Sequence, residues 1–172
     1  AFDLSERHEV PILVRLTTRL AHSRADVIRR VEQPRPQNPL KMPSNARRYV
    51  LLPAIARKNY TELLAKTRIF EEEAEKSPFN VLFKGEDHRL GIVACGIALN
   101  YIREVYPGDS CRHPILKISQ YPAPRHLIAR MMETCKALLV LEDGYPVIED
   151  LMRGIHSPVV IHGRLDGTLP RA

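Results

Sequence analysis

The segment spanning residues 90–162 predicts an α/β fold with a largely parallel sheet covered by helices on both faces. Three observations carry this. Short apolar segments recur without the polar–apolar alternation of a half-wet strand. Between them lie amphipathic stretches of about ten residues, the length of crossover helices. The composition, 44% hydrophobic and 27% charged over 172 residues, is that of an ordinary globular domain large enough for one good core.

The elements follow in order. Leu90–Cys95 (LGIVAC) reads as a buried strand and Gly96 as the turn after it. Ile97–Val105 is a helix with Ile97, Tyr101, Ile102 and Val105 inward, and Pro114–Ser119 (PILKIS) is a strand. A helix over Pro124–Thr134 turns Leu127, Ile128, Met131 and Met132 inward, and Ala137–Leu141 (ALLVL) is the next strand. A helix over Pro146–Ile155 presents Val147, Ile148, Leu151 and Met152, and Val159–His162 is the last strand. The expected core is Ile92, Val93, Ile115, Leu116, Ile118, Leu138, Val140, Val160 and Ile161.

Upstream, Pro53 suits a first helical turn. Ala56, Tyr60, Leu63, Leu64, Thr67, Phe70 and Ala74 then repeat at spacings of three and four, one apolar stripe of a helix that Ser77-Pro78 ends. Residues 1–9 (AFDLSERHE) read as the end of a helix, and Val10–Leu16 (VPILVRL) as a strand. Entering on a helix end suggests a chain cut from something longer. Five prolines between residues 34 and 53 mark an extended tether. The expected organisation is therefore the tail of one domain over 1–30, a proline-rich linker over 31–45, and a complete domain over 46–172. The first thirty residues should lack a core of their own.

The net charge of +6 invites a nucleic-acid reading. Its location weighs against one. Residues 1–68 carry 14 Lys/Arg against 6 Asp/Glu, whereas residues 69–172 carry 12 against 14. Basic segments without interleaved aromatic residues are weak signals for nucleic acid. No apolar run approaches the roughly 18 residues of a membrane span. Cys95, Cys111 and Cys135 form no CxxC pair and no even set, which suits a reducing, cytoplasmic setting.

The chemistry-bearing patterns are sparse. HExxH, paired-cysteine metal spacing, GxGxxG and the P-loop are all missing from the sequence. Cys95 stands at a strand end before Gly96, where an α/β sheet can place a nucleophile, but IVACGIAL is no recognised nucleophile elbow and a buried thiol fits it better. Two segments remain. Glu142 and Asp143, in LEDGYPVIED, follow a buried strand at the carboxyl edge of the sheet, where such folds place ligands and interfaces. They read either as acids favoured near a helix N-terminus or as a contact site. Arg15–Arg24 (RLTTRLAHSR) is dense in donors, with Arg19, His22 and Ser23 the candidates for an anionic ligand or a facing domain.

The ordered set of segments resembles a family. VPILVRLTTRLAHSRADV is similar to the "PVLLRTTTRxxHSRG" of the alpha subunit of indolepyruvate ferredoxin oxidoreductases. NARRYVLLPAIARKNY resembles their "KYVMLPANAR", LGIVACGIALNYI their "LGIITSGVAYNYV", and ISQYPAPRHLI their "TYPLPEKLI". LVLEDGYPVIEDLM and VVIHGRLDGTLPRA match the following stretches in order. Departures are Ala25 in place of the glycine after HSR, and Glu142, Asp143, Gly144, Tyr145, Pro146 in place of "EELEP".

The resemblance implies an internal fragment of a parent that oxidatively decarboxylates aryl 2-oxo acids with coenzyme A, passing electrons to ferredoxin. Thiamine diphosphate, magnesium and 4Fe-4S clusters would sit elsewhere in the parent, with no cofactor or metal in this fragment and no catalytic residue in it. Residues 46–172 would resemble the transketolase carboxyl-terminal domain: three layers, about five mostly parallel strands, one antiparallel edge. Its partners would be other domains of the same subunit, a beta subunit, and ferredoxin and coenzyme A through the parent, with no nucleic acid and no membrane. Two other readings stay open: the same domain in a paralogue acting on pyruvate or another 2-oxo acid, with contacts from Arg15–Arg24, and a nucleic-acid-binding module.

Overall fold

The computed structural model describes residues 1–29, 31, 42–155 and 158–170, apart from the side chains of Arg19 and Asp109. Two compact units are present, Ala1–Pro43 and Ser44–Ala172. The linker expected over 31–45 falls mostly outside the described residues.

In the first unit, helix α1 spans Phe2–His8 and a short helix α2 spans Thr18–His22. Thr17 caps α2 by accepting from the Leu20 amide at 3.4 Å. The strand expected over Val10–Leu16 does not form: residues 11–17 carry no ladder, and Ile12, Leu13, Val14 and Leu16 are exposed. An apolar segment becomes a strand only with a neighbour to take its backbone groups. No described residue of this unit is buried.

The second unit holds a five-stranded sheet. Its strands are β1 (Val81–Phe83), β2 (Gly91–Cys95), β3 (Ile115–Ile118), β4 (Ala137–Leu141) and β5 (Val160–His162). The order is β1-β3-β2-β4-β5. Only the β1–β3 pair is antiparallel, in the register Leu82↔Leu116; the parallel pairs are β2–β3, β2–β4 and β4–β5. Strand β1 is too short and too plain in pattern to be read from its residues alone. Asn80, just before it, fixes its place. The Asn80 side chain donates to the Ala74 and Gln120 carbonyls and accepts from the Ser119 and Gln120 amides. All its hydrogen-bonding capacity is thus used to join the end of the preceding helix to the end of β3.

The helices are α3 (Pro53–Glu75), α4 (Ala98–Val105), α5 (Arg125–Thr134) and α6 (Val147–Arg153). Alternation along each strand divides the core in two. Val93, Leu116, Ile118, Leu138, Val140 and Ile161 meet Ile128, Met131 and Met132 of α5 and Ile148 and Met152 of α6. On the other face Ile92, Ala94 and Ile115 meet Ala98, Leu99 and Ile102 of α4.

Several expected core positions differ. Val160 is 53% exposed. It lies on edge strand β5 and points away from the α5/α6 face that buries its neighbour Ile161. The opposite face is only half-covered there, so Leu139 and Leu141 of β4 are half-exposed too. Helix α4 buries Ile102 as expected, but its other buried positions are Ala98 and Leu99, which share a helix face with it, whereas Ile97 is half-buried and Tyr101 and Val105 are exposed. Val147 of α6 is exposed as well.

The stripe of α3 is the largest departure. Tyr60, Leu63 and Leu64 are exposed, and Ala74 is this helix's one buried residue. The reason is length. A helix of 23 residues runs about 34 Å, while a five-residue strand spans roughly 17 Å. Only its last turns, around Phe70 and Ala74, reach α5. The first turns are held by the Asn59 amide donating to the Arg48 carbonyl at 3.0 Å and by an Arg48–Glu62 pair at 3.3 Å.

Candidate functional site

The topology points to one place. From β2 the chain turns into α4 on one face; from β4, its neighbour, it turns into α6 on the other. Helices leaving adjacent strands on opposite faces open a crevice at the carboxyl ends of those strands, the position at which open α/β sheets receive ligands. Cys95 ends β2, and Glu142 follows β4 one step beyond the Ala94↔Leu141 register. Both point to the α5/α6 face.

Glu142 does not wait for a ligand. Its carboxylate turns onto the start of α6, accepting from the Ile148 amide at 2.9 and 3.1 Å and from the Glu149 amide at 3.0 Å. Pro146, which has no amide hydrogen, immediately precedes α6, so Glu142 satisfies donors that its N-terminus would otherwise leave open. A helix start at a switch point usually offers these amides to an anion; here a protein carboxylate occupies them. Burial raises the Glu142 pKa, and the Glu149 charge adds to the rise; the two amide contacts and Arg164 oppose it and lose. Burial also pushes the Cys95 thiol strongly up, with Glu142 a second cause. Cys95 is therefore a protonated, buried thiol, the opposite of an activated nucleophile.

Behind this cap stands Glu149, 1% exposed. It accepts from Arg153 Nε and Nη2 at 3.2 and 2.9 Å, from the Arg164 amide at 2.8 Å, and from the Leu165 amide at 3.0 Å. Arg153 also donates to the Ile161 carbonyl, and Arg164 to the Gly144 carbonyl. One buried carboxylate thus joins α6, β5 and the loop after it. Asp166 closes that loop, accepting from the Gly163 and Thr168 amides, which hold its carboxyl well below the usual range. Glu149 could be recognised in sequence only as an acid in a first helical turn; its burial depends on a loop fifteen residues away.

Asp143 is exposed beside Glu142. His22, at the end of α2, is exposed, and Ser23 donates to the Leu20 carbonyl at 2.7 Å. Arg19 has its backbone in α2. Arg19, His22 and Ser23 belong to the first unit and Glu142 and Asp143 to the second. Among the described residues, no group of three or more His, Cys, Asp or Glu is placed to hold a metal ion, and no helix is long and apolar enough to cross a membrane.

No protein-family model matches the chain, and no solved structure matches it. Curated relatives do. The chain is 34% identical over 178 residues to the indolepyruvate oxidoreductase subunit IorA of Methanothermobacter thermautotrophicus, a match covering 99% of this chain and 28% of that subunit. It is 35% identical to the subunit of the same name from Methanothermobacter marburgensis, with the same coverage. To that of Pyrococcus abyssi it is 31% identical, over 95% of this chain and 27% of the relative. The chain thus spans little more than a quarter of the length of these relatives. Along that stretch its sequence is similar to an internal segment of the relatives named indolepyruvate oxidoreductase subunit IorA.

Proposed function

We propose that this chain serves as a scaffold and interface domain of a thiamine-diphosphate-dependent indolepyruvate:ferredoxin oxidoreductase, built like the transketolase carboxyl-terminal domain. In the parent, an aryl 2-oxo acid is oxidatively decarboxylated to the acyl-coenzyme A, and electrons pass through 4Fe-4S clusters to ferredoxin. The observation that carries the reading for this chain is Glu142 seated on the start of α6: the fold's usual anion position is filled from within. The donor set does not fit a magnesium diphosphate either, since Glu142, Glu149 and Asp166 already serve backbone amides and an arginine.

What the second unit does offer is apolar surface. Tyr60, Leu63 and Leu64 of α3 and Leu51 and Leu52 before it are exposed, as is Val160 on the half-covered face of β5. Such surface suits contact with other domains of the same subunit or with a beta subunit. Arg19 and His22 are proposed as donors at the catalytic interface of the parent, with Ser23 and Asp143 as further contacts.

The test uses the full-length parent with its partner subunit. Leu63→Asp with Leu64→Asp should abolish assembly by size-exclusion chromatography, and Arg19→Ala should lower turnover with assembly intact. Full assembly of the double variant would overturn the interface reading. So would magnesium-dependent thiamine diphosphate binding by the 172-residue chain alone, measured by calorimetry. Faster ferredoxin reduction from pyruvate than from indolepyruvate would assign the parent to the paralogue reading.

A further inference from the structure

On the α4 face, away from the crevice of Glu142, the structure holds a cavity of about 240 Å³. Its floor is apolar: Phe83 of β1, Ile115 of β3, and Leu99 and Ile102 of α4. Leu99, Ile102 and Ile115 are buried, so the floor is part of the packed core and is preformed. The rim differs sharply. Lys84 follows β1, Arg103 projects from α4, and His113 precedes β3, with Tyr106 beside them. Among the described residues, no acid lines the cavity.

Two acids in the loop before β2 are engaged. Asp87 is held by Arg89 at 2.7 Å, and Glu86 pairs with Arg112 at 3.6 Å. His113 is fixed by its Nδ1, 3.1 Å from the Asp87 carbonyl. Among the described residues Lys84 and Arg103 have no carboxylate partner. An apolar, preformed pocket with a few convergent cationic groups is the general form of a small-ligand site. A cavity of about 150 Å³ is enough to take a benzene ring, so this one has room for a ring and an attached charged group.

We infer that this cavity binds a small amphiphilic anion, a carboxylate on a compact apolar body, with the body against Phe83, Leu99, Ile102 and Ile115 and the carboxylate between Lys84 and Arg103. The apolar floor supplies the contact area, and the rim selects for charge. A guanidinium can grip a carboxylate through two parallel N–H donors. The inference stands independently of the interface reading, because it concerns a different face and different residues.

The experiment is a methyl-NMR titration of the 172-residue chain with benzoate. Its neutral isostere benzamide, inorganic phosphate, and the double variant Lys84→Met with Arg103→Met are run in parallel. Both substituted side chains lie at the surface, and an unchanged methyl spectrum of the variant shows that it is folded. Expected is saturable movement of the Leu99, Ile102 and Ile115 methyl signals with a Kd of roughly 1 mM. Benzamide, and benzoate against the double variant, should each bind about tenfold more weakly. Equal binding of benzoate and benzamide would overturn the inference, as would phosphate moving the same methyls, an unaffected double variant, or no movement of the cavity methyls.

Discussion

A β-carbon on Gly163 would lie 2.4 Å from Oε2 of Glu149. The buried carboxylate and the glycine therefore define one another: the loop after β5 can pass over Glu149 and donate two amides to it only because residue 163 has no side chain. Gly163→Ala should displace the carboxylate, and Glu149→Ala should leave the Arg164 and Leu165 amides and Arg153 without their acceptor. Each should cost roughly 3–5 kcal/mol, read as a shift of the urea midpoint at unchanged slope.

Glu142 should show an inverted pH dependence. Burial raises its pKa in the folded chain above the ordinary value, so the folded state binds more protons than the unfolded one across that window. Stability then falls as pH rises through it. Glu142→Gln keeps one oxygen for the α6 amides and removes the charge. Its stability relative to the unsubstituted chain should improve as pH rises above the ordinary carboxylate range, measured by denaturant titration at each pH.

Asp87 and Asp166 act in the other direction. Arg89 on Asp87, and the Gly163 and Thr168 amides on Asp166, hold both carboxyls well below their usual range. Their contribution is complete above the ordinary carboxylate pKa and is lost as pH falls toward the depressed folded values. Asp166→Asn should lower the thermal midpoint at neutral pH and flatten the acid limb below pH 4, so that the two profiles converge in acid.

The three thiols should separate by access. Cys111 is partly exposed, whereas Cys95 and Cys135 are buried with their pKa values raised by desolvation. In the native chain an aromatic disulfide reagent should titrate Cys111 first, and the other two should react only on unfolding.

The exposed apolar stripe of α3 should be neutral in isolation. Leu64→Asp alters no core contact of the second unit, so the 172-residue chain should keep its urea midpoint to within about 0.5 kcal/mol. A larger loss would mean that α3 packs more fully in solution.

Much of the second unit is legible in residue order. LGIVAC, PILKIS, ALLVL and VVIH stand as β2 to β5, and the helices between them appear within a residue or two of their expected bounds. Apolar clustering over five residues and amphipathic spacing over ten are local properties, set by the periods of strand and helix. Whether an apolar face finds a cover is a different matter. Val10–Leu16 has the pattern of a strand but, among the described residues, no ladder; Tyr60, Leu63 and Leu64 have the spacing of a buried stripe on a helix that outruns its sheet; Val160 sits on the half-covered side of an edge. The same division holds at the crevice. LEDGYPVIED announces acids after a strand and before a helix, but either role was open to them. That Glu142 turns inward to cap α6, and that Glu149 is buried under Gly163, depends on the register of β2 with β4 and on the return of the chain after β5. A carboxylate's role depends on which amides and charges come within about 3 Å of it, and those neighbours come from elements distant in the chain, brought together only by tertiary packing.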